Sequence, residues 1–226
     1  MNTIEITIAD VKLFVTETEK NIQINDIPAA TFGLVWGHVK AQYPGYEVFF
    51  SFNSERMTPN QQVPATQLTE IGVNRIDDML NFKLQQADFN LNNYQNELEI
   101  ILLTDATFAE FAAFHDARNP GMYWTSARLQ KRPDLWQIHT LTTNGQLTGY
   151  VMTMFAPSNT EIFAIESDDL VTFEALLTTA CQNAFTLGRK EVLYMLDATV
   201  ATSHQQTVKE LGFNKTGFYQ GFQIQL

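Results

Sequence analysis

Cysteine is nearly absent from this 226-residue chain, where Cys181 stands alone. One thiol makes no disulfide framework and no thiolate metal cluster. Histidine is also scarce: His38, His115, His139 and His204 lie scattered without ligand spacing, so no metal site is expected. No apolar run reaches the roughly 20 residues that a membrane helix needs. The start, MNTIEITIAD, carries neither a basic segment nor a cleavable apolar stretch. These absences predict a cytoplasmic protein without a membrane partner. Positive charge is in deficit too, with 14 Lys and Arg against 25 Asp and Glu and a formal net charge of −11. Nucleic acid is excluded as a main partner, because phosphate binding needs clustered cations. Anionic ligands are repelled unless a site locally overrides the field.

What the chain has is phenylalanine, 17 of them, enough for a real core. The first 25 residues alternate as strands (IEITI, KLFVTE, NIQI). Asp26 reads as a helix cap with Pro28 in the first turn, and Phe32, Val35, Trp36 and Val39 form one helix face. EVFFSF, 47–52, reads as a buried central strand. A short helix follows at about 64–72, ending at Gly72, and then a strand through Phe82 and Leu84. The polar Asn/Gln-rich stretch around 87–97 reads as a linker between domains 1–86 and 98–226.

The second half opens with the strand LEIILL. Two helices follow, the first carrying Phe108, Phe111, Ala112 and His115, the second stopped by Pro133. A hairpin turns at Asn144-Gly145, and TEIFAI adds a strand. Ser167, Asp168 and Asp169 offer caps to a long helix with the stripe Phe173, Leu176, Leu177, Ala180, Cys181, Ala184. Cys181 therefore reads as core. EVLYML, a helix ending at Gly212, and a final strand through Phe222 and Ile224 complete the chain.

The two halves share more than order. TEIGVNRIDDMLNFKL (69–84) and KELGFNKTGFYQGFQI (209–224) align without a gap, with Glu70, Gly72, Asn74 and Phe82 matching Glu210, Gly212, Asn214 and Phe222. A spacing of 140 residues between Gly72 and Gly212 is too long for a solenoid repeat. It predicts duplication of a whole α/β unit, the first copy lacking the opening strand and helix pair.

This order of elements, with ALLTTACQNAFTLGRKEVLYMLD (175–197) and KELGF (209–213), resembles the GNAT superfamily of N-acetyltransferases over 98–226 and, as a truncated copy, over 1–86. The resemblance implies a mixed, mostly antiparallel sheet flanked by helices (α/β, in the α+β sense). It also implies transfer of an acetyl group from acetyl-CoA, as co-substrate, to an amine of a small molecule or peptide. The cofactor would lie against Phe163, Ala164 and Ile165 of the fourth strand, whose edge pairs with the pantetheine arm. Asp169, Leu170, Val171 and Thr172 would stand at the helix start that takes the pyrophosphate. Glu161 and Glu166 are the candidate bases, and Tyr219, or Tyr150, the candidate acid. Arg118, Tyr123 and Trp124, in the segment joining the two helices, are the candidate acceptor contacts.

Several of the family's site positions hold other residues here. Its glycines are replaced by Asp169, Val171 and Phe173, its Arg by Asp168, its Tyr by Val208 and its Asn by Ala201; the first copy has Leu68 and Gln61 at the last two places. The first copy therefore reads as non-catalytic. For the second, two readings stay open: an N-acyltransferase with an altered cofactor loop, or a non-catalytic protein that uses the fold to bind a small ligand or a partner. One strand is missing after Phe213, leaving an open edge for the other copy, or a second chain in a homodimer, to cover.

Overall fold

A computed structural model describes residues 3–91, 98–120, 122, 124–156 and 160–226. The end of the expected linker, 92–97, lies outside the described residues. The chain divides into two compact units that do not follow chain order. Unit 1 gathers the residues up to Asn81 with Asp197–Thr199 and Thr216–Leu226, and unit 2 takes Phe82–Leu196 with Val200–Lys215.

Unit 1 begins with the strands β1 (Thr3–Ile8), β2 (Val11–Thr16) and β3 (Asn21–Asn25). Helix α1 (Ala29–Gln42) then crosses to β4 (Glu47–Asn53), which lies parallel to β3. Helix α2 (Ala65–Glu70) leads into β5 (Asn74–Gln85). The C-terminal strand β11 (Asn214–Gln225) inserts beside β4, antiparallel, so the order in this unit is β1-β2-β3-β4-β11-β5. The core is the expected α1 face, Phe32, Val35 and Val39, against Val48, Phe50 and Phe52 of β4 and Phe222 of β11. Phe222 stacks on Phe50 with ring centres 5.5 Å apart. Asp26 does not cap α1, whose N-cap position is Pro28 and which has no side-chain cap. Instead its carboxylate accepts a hydrogen bond from the Asn53 amide at 2.8 Å. A local Asp-x-Pro signal is overridden here by a partner 27 positions away.

Unit 2 holds β6 (Ile100–Leu102), α3 (Phe108–Arg118), α4 (Ser126–Leu129), β7 (Trp136–Thr143), β8 (Gln146–Phe155), β9 (Thr160–Ser167), α5 (Leu170–Thr186), β10 (Glu191–Asp197) and α6 (Thr202–Glu210). Its order is β5-β10-β9-β8-β7-β6, with β9 parallel to β10 and the other register-matched neighbours antiparallel. The strand missing after Phe213 is thus supplied by the first half of the chain: the end of β5 flanks β10. Tyr150 and Met152 of β8 pack with Phe111 of α3. Successive strand residues face opposite ways, and Gly149 faces α5: a Cβ there would meet the side chains of Thr172 and Leu176, both at 3.1 Å, and the Glu166 carbonyl at 2.8 Å. Helices therefore cover both faces.

The duplication is visible in detail. β3–α1–β4–α2–β5 repeats β9–α5–β10–α6–β11. The two last strands are each 12 residues and bury matching positions up to Phe82-Lys83 and Phe222-Gln223. The helices before them end alike, on left-handed Gly72 (φ 76°) and Gly212 (φ 102°), followed by Val73 N–H to Leu68 carbonyl and Phe213 N–H to Val208 carbonyl bonds. As expected for the first copy, the opening strand and helix pair are the parts it lacks.

Candidate active site

Among the described residues, β9 pairs with β10 only at Glu161–Leu193 and Ile162–Tyr194. Its register with β8 then skips Phe163. One extra residue bends a strand and increases its twist, so the bulge coincides with the point where β9 leaves β10. From Phe163 through Ala164 and Ile165 to Ser167, the backbone edge toward β10 has no strand partner among the described residues. The Phe163 ring is held by Trp136 at 5.4 Å, which in turn meets Trp124 at 5.0 Å.

Past the bulge, β9 delivers Glu166 beside Tyr150 of β8. Glu166 is half-buried, and burial pushes its carboxyl above the ordinary carboxylate range, outweighing the lowering pull of Arg118 and of the Asn119 hydrogen bond. The Arg118 guanidinium stands 4.0 Å from it. Behind lies a closed network. His115 is fully buried on α3, four residues after Phe111. A carbonyl only accepts, so His115 Nε2 donates to the Trp124 carbonyl at 2.8 Å. With a neutral ring, Nδ1 then accepts from the Tyr150 hydroxyl at 2.7 Å. The Tyr150 oxygen in turn accepts from Asn119 Nδ2 at 3.0 Å. Burial raises the Tyr150 phenol well above its usual value, reinforced by the nearby Glu166 charge. The phenol is thus buried and committed to His115 and Asn119. One sign of this network is legible in the sequence: a histidine in an apolar helix stripe must find polar partners when buried.

The start of α5 is closed by its own side chains. Asp169 is the N-cap, its carboxylate accepting from the Thr172 amide at 2.8 Å and the Thr172 hydroxyl at 3.0 Å. Asp168 accepts from Arg118 at 2.8 Å, which lowers its pKa. Phe173 is 3% exposed, its ring 4.6 Å from that of His204 on α6 and 6.4 Å from that of Tyr194 on β10. Leu170 begins the helix and Val171 is exposed. Asp169→Ala is expected to cost about 1 kcal/mol through the lost cap; an unchanged urea midpoint would show the cap to be dispensable.

The structure therefore brings together Glu166, Arg118, Asp168 and the β9 edge. Glu161 stands at the last pairs before the split, opposite Leu193 and Met154. Tyr219 falls in unit 1, opposite Asn53 on β4. Trp124 is half-buried against Trp136 and gives its carbonyl to His115. Tyr123 lies outside the described residues. Cys181 is buried on the α5 stripe, which raises its thiol pKa and leaves it inert.

In unit 1 the corresponding gap is shut. β3 stays paired with β4 from Asn21–Glu47 to Asn25–Ser51. The Asp26 amide then bonds the Ser51 carbonyl at 2.9 Å, and the Asp26 carboxylate takes the Asn53 amide.

No family model and no curated protein matches this sequence. Solved structures do match its shape. A GCN5-related N-acetyltransferase from Kribbella flavida is similar over 98% of this chain and 89% of its own, with a TM-score of 0.68 at 12% identity. A functionally unknown conserved protein from Staphylococcus epidermidis is similar over 99% and 94%, with a TM-score of 0.66 at 10% identity. A tandem GNAT protein from the clavulanic acid biosynthesis pathway is similar over 95% and 78%, with a TM-score of 0.61 at 10% identity. The fold is that of the GNAT N-acetyltransferases, in a duplicated layout like that of the tandem protein. No helix among the described residues is long and apolar enough to cross a membrane.

Proposed function

We propose that unit 2 is an N-acyltransferase, moving an acyl group from a thioester to an amine of a small molecule or peptide. The observation that carries this reading is the parting of β9 from β10 at the Phe163 bulge, which leaves the β9 edge beyond Ile162 without a strand partner among the described residues. An amide-bearing arm such as pantetheine can add to that edge as a strand would. Glu166, beyond the bulge, is the base. Its raised pKa keeps a proton acceptor poised closer to neutrality than an ordinary carboxylate. The amine nitrogen bonds the thioester carbonyl carbon, its proton passes to Glu166, and the C–S bond breaks to release thiolate. Arg118, 4.0 Å from Glu166, would meet the acceptor together with Trp124. Acetyl-CoA is the donor the fold suggests. Its pantetheine arm fits the β9 edge, whereas its diphosphate does not fit a helix start carrying Asp168 and Asp169, so no step is assigned to that part of it.

Glu166→Gln is expected to lower turnover by about 10²–10³-fold, read as thiol release. The wild-type rate should rise with pH through a value above the ordinary carboxylate range. A group whose folded pKa is raised gives stability at low pH and loses it as pH rises through that value. Glu166→Gln should therefore be no less stable than wild type above neutrality while losing activity. A variant that keeps its rate would sink the assignment.

A second reading, ligand binding without catalysis, is favoured by a cavity of about 620 Å³ in unit 1. Phe52, Val63, Leu68 and Phe222 line it with Gln62 and Arg75. A homodimer would form through β6, whose outer edge has no strand partner among the described residues and whose Ile101 and Leu102 are exposed; sedimentation velocity would test it.

A further inference from the structure

We propose that unit 2 takes its acyl group from a pantetheine-type thioester that carries no nucleotide diphosphate, Asp168, Asp169 and Phe173 excluding the nucleotide while the β9 edge holds the arm. This rests on the acyltransferase reading and names its donor. Three independent features converge. An anion at a helix start needs free first-turn amides, and the Thr172 amide is already held by Asp169. A diphosphate also needs cations, and Arg118, a cation at this end of unit 2, is held by Asp168 at 2.8 Å with Glu166 at 4.0 Å. Close approach of phosphate to backbone needs residues without side chains, and here Phe173 fills the position with a ring wedged against His204. A neutral arm meets none of these obstacles, and the chain's net charge of −11 favours it further over a polyanion.

The test compares S-acetyl-pantetheine with acetyl-CoA as donors to an amine panel, with binding of each followed by calorimetry. The wild-type protein should use acetyl-pantetheine with a kcat/KM at least tenfold above that for acetyl-CoA at low salt. Raising the ionic strength should narrow the ratio, because screening weakens repulsion between exposed charges. Asp168→Asn, at an exposed position where folding is not at stake, should narrow it in the same direction, and Asp169→Asn, which keeps a capping side chain, should do so again. Acetyl-CoA used as well as or better than acetyl-pantetheine would overturn the inference and leave the acyltransferase standing. A preference that ignores salt and both substitutions would overturn the charge-exclusion argument. Absence of binding and turnover with either donor at millimolar concentration would remove the acyltransferase reading as well.

Discussion

A chain ending at Lys215 is expected to lose unit 1 while unit 2 stays folded. Truncation there removes β11 from Thr216 onward, and with it the backbone ladder from Tyr219–Asn53 to Gln225–Glu47 that flanks β4. It also removes Phe222, 8% exposed, whose ring packs 5.5 Å from both Phe50 and Phe52. Loss of one buried Phe side chain costs about 3–5 kcal/mol. A whole domain has only about 5–15 kcal/mol to lose, and the strand takes its hydrogen bonds away too. Hydrogen exchange would read the result: amides of Val48–Phe52 become unprotected, while those of Tyr150–Met152 in unit 2 keep their protection. If β4 amides stay protected in the truncated chain, the placement of β11 in unit 1 is wrong. The same argument says that residues 1–86 alone do not fold, although sequence order makes them look like a domain.

The two matching glycines should part company when each is changed to alanine. Gly72 has φ 76° and nothing within 4 Å of an added Cβ, so Gly72→Ala carries only left-handed backbone strain, about 1–2 kcal/mol. Gly212 has φ 102°, and its Cβ would fall 2.0 Å from the Asp88 carbonyl oxygen. That oxygen belongs to the segment that crosses over this turn, where the Asn90 amide bonds the Leu211 carbonyl. Backbone must move as well as strain, and the cost rises to about 4 kcal/mol. Urea midpoints of the two variants would measure the difference. Equal losses would mean that the 86–90 segment does not cross Gly212 as described.

Much of this protein is legible without coordinates, and for local reasons. The α5 stripe is buried at every residue expected, because helical spacing alone puts those side chains on one face. EVFFSF is a central strand, flanked by β3 and β11, as a continuous apolar run predicts. At the candidate site, Glu166, Arg118 and the Asp168-Asp169 cap were all recognisable as chemistry-bearing residues. Their juxtaposition was not, since Arg118 and Asp168 meet across 50 positions. Asp26 shows the opposite failure: a plausible local cap whose carboxylate is taken by a distant amide.

The exchange of last strands marks the boundary most clearly. Sequence determines that 74–85 and 214–225 are twin strands, each entered through a left-handed glycine, with Phe82 and Phe222 at the same buried position. It does not determine which sheet each strand joins. Backbone hydrogen bonds carry no residue identity, and twin burial patterns suit either neighbour, so local sequence cannot separate the two arrangements. Contacts distant in the chain decide it: Phe222 stacks on Phe50 and meets Phe52 edge-on, and Gly221 has no Cβ where the Asp77 carboxylate presses close. The tertiary structure alone could place β11 beside β4, and it alone could show one copy's strands stapled together by Asp26 and the other's parting at a single extra residue, Phe163.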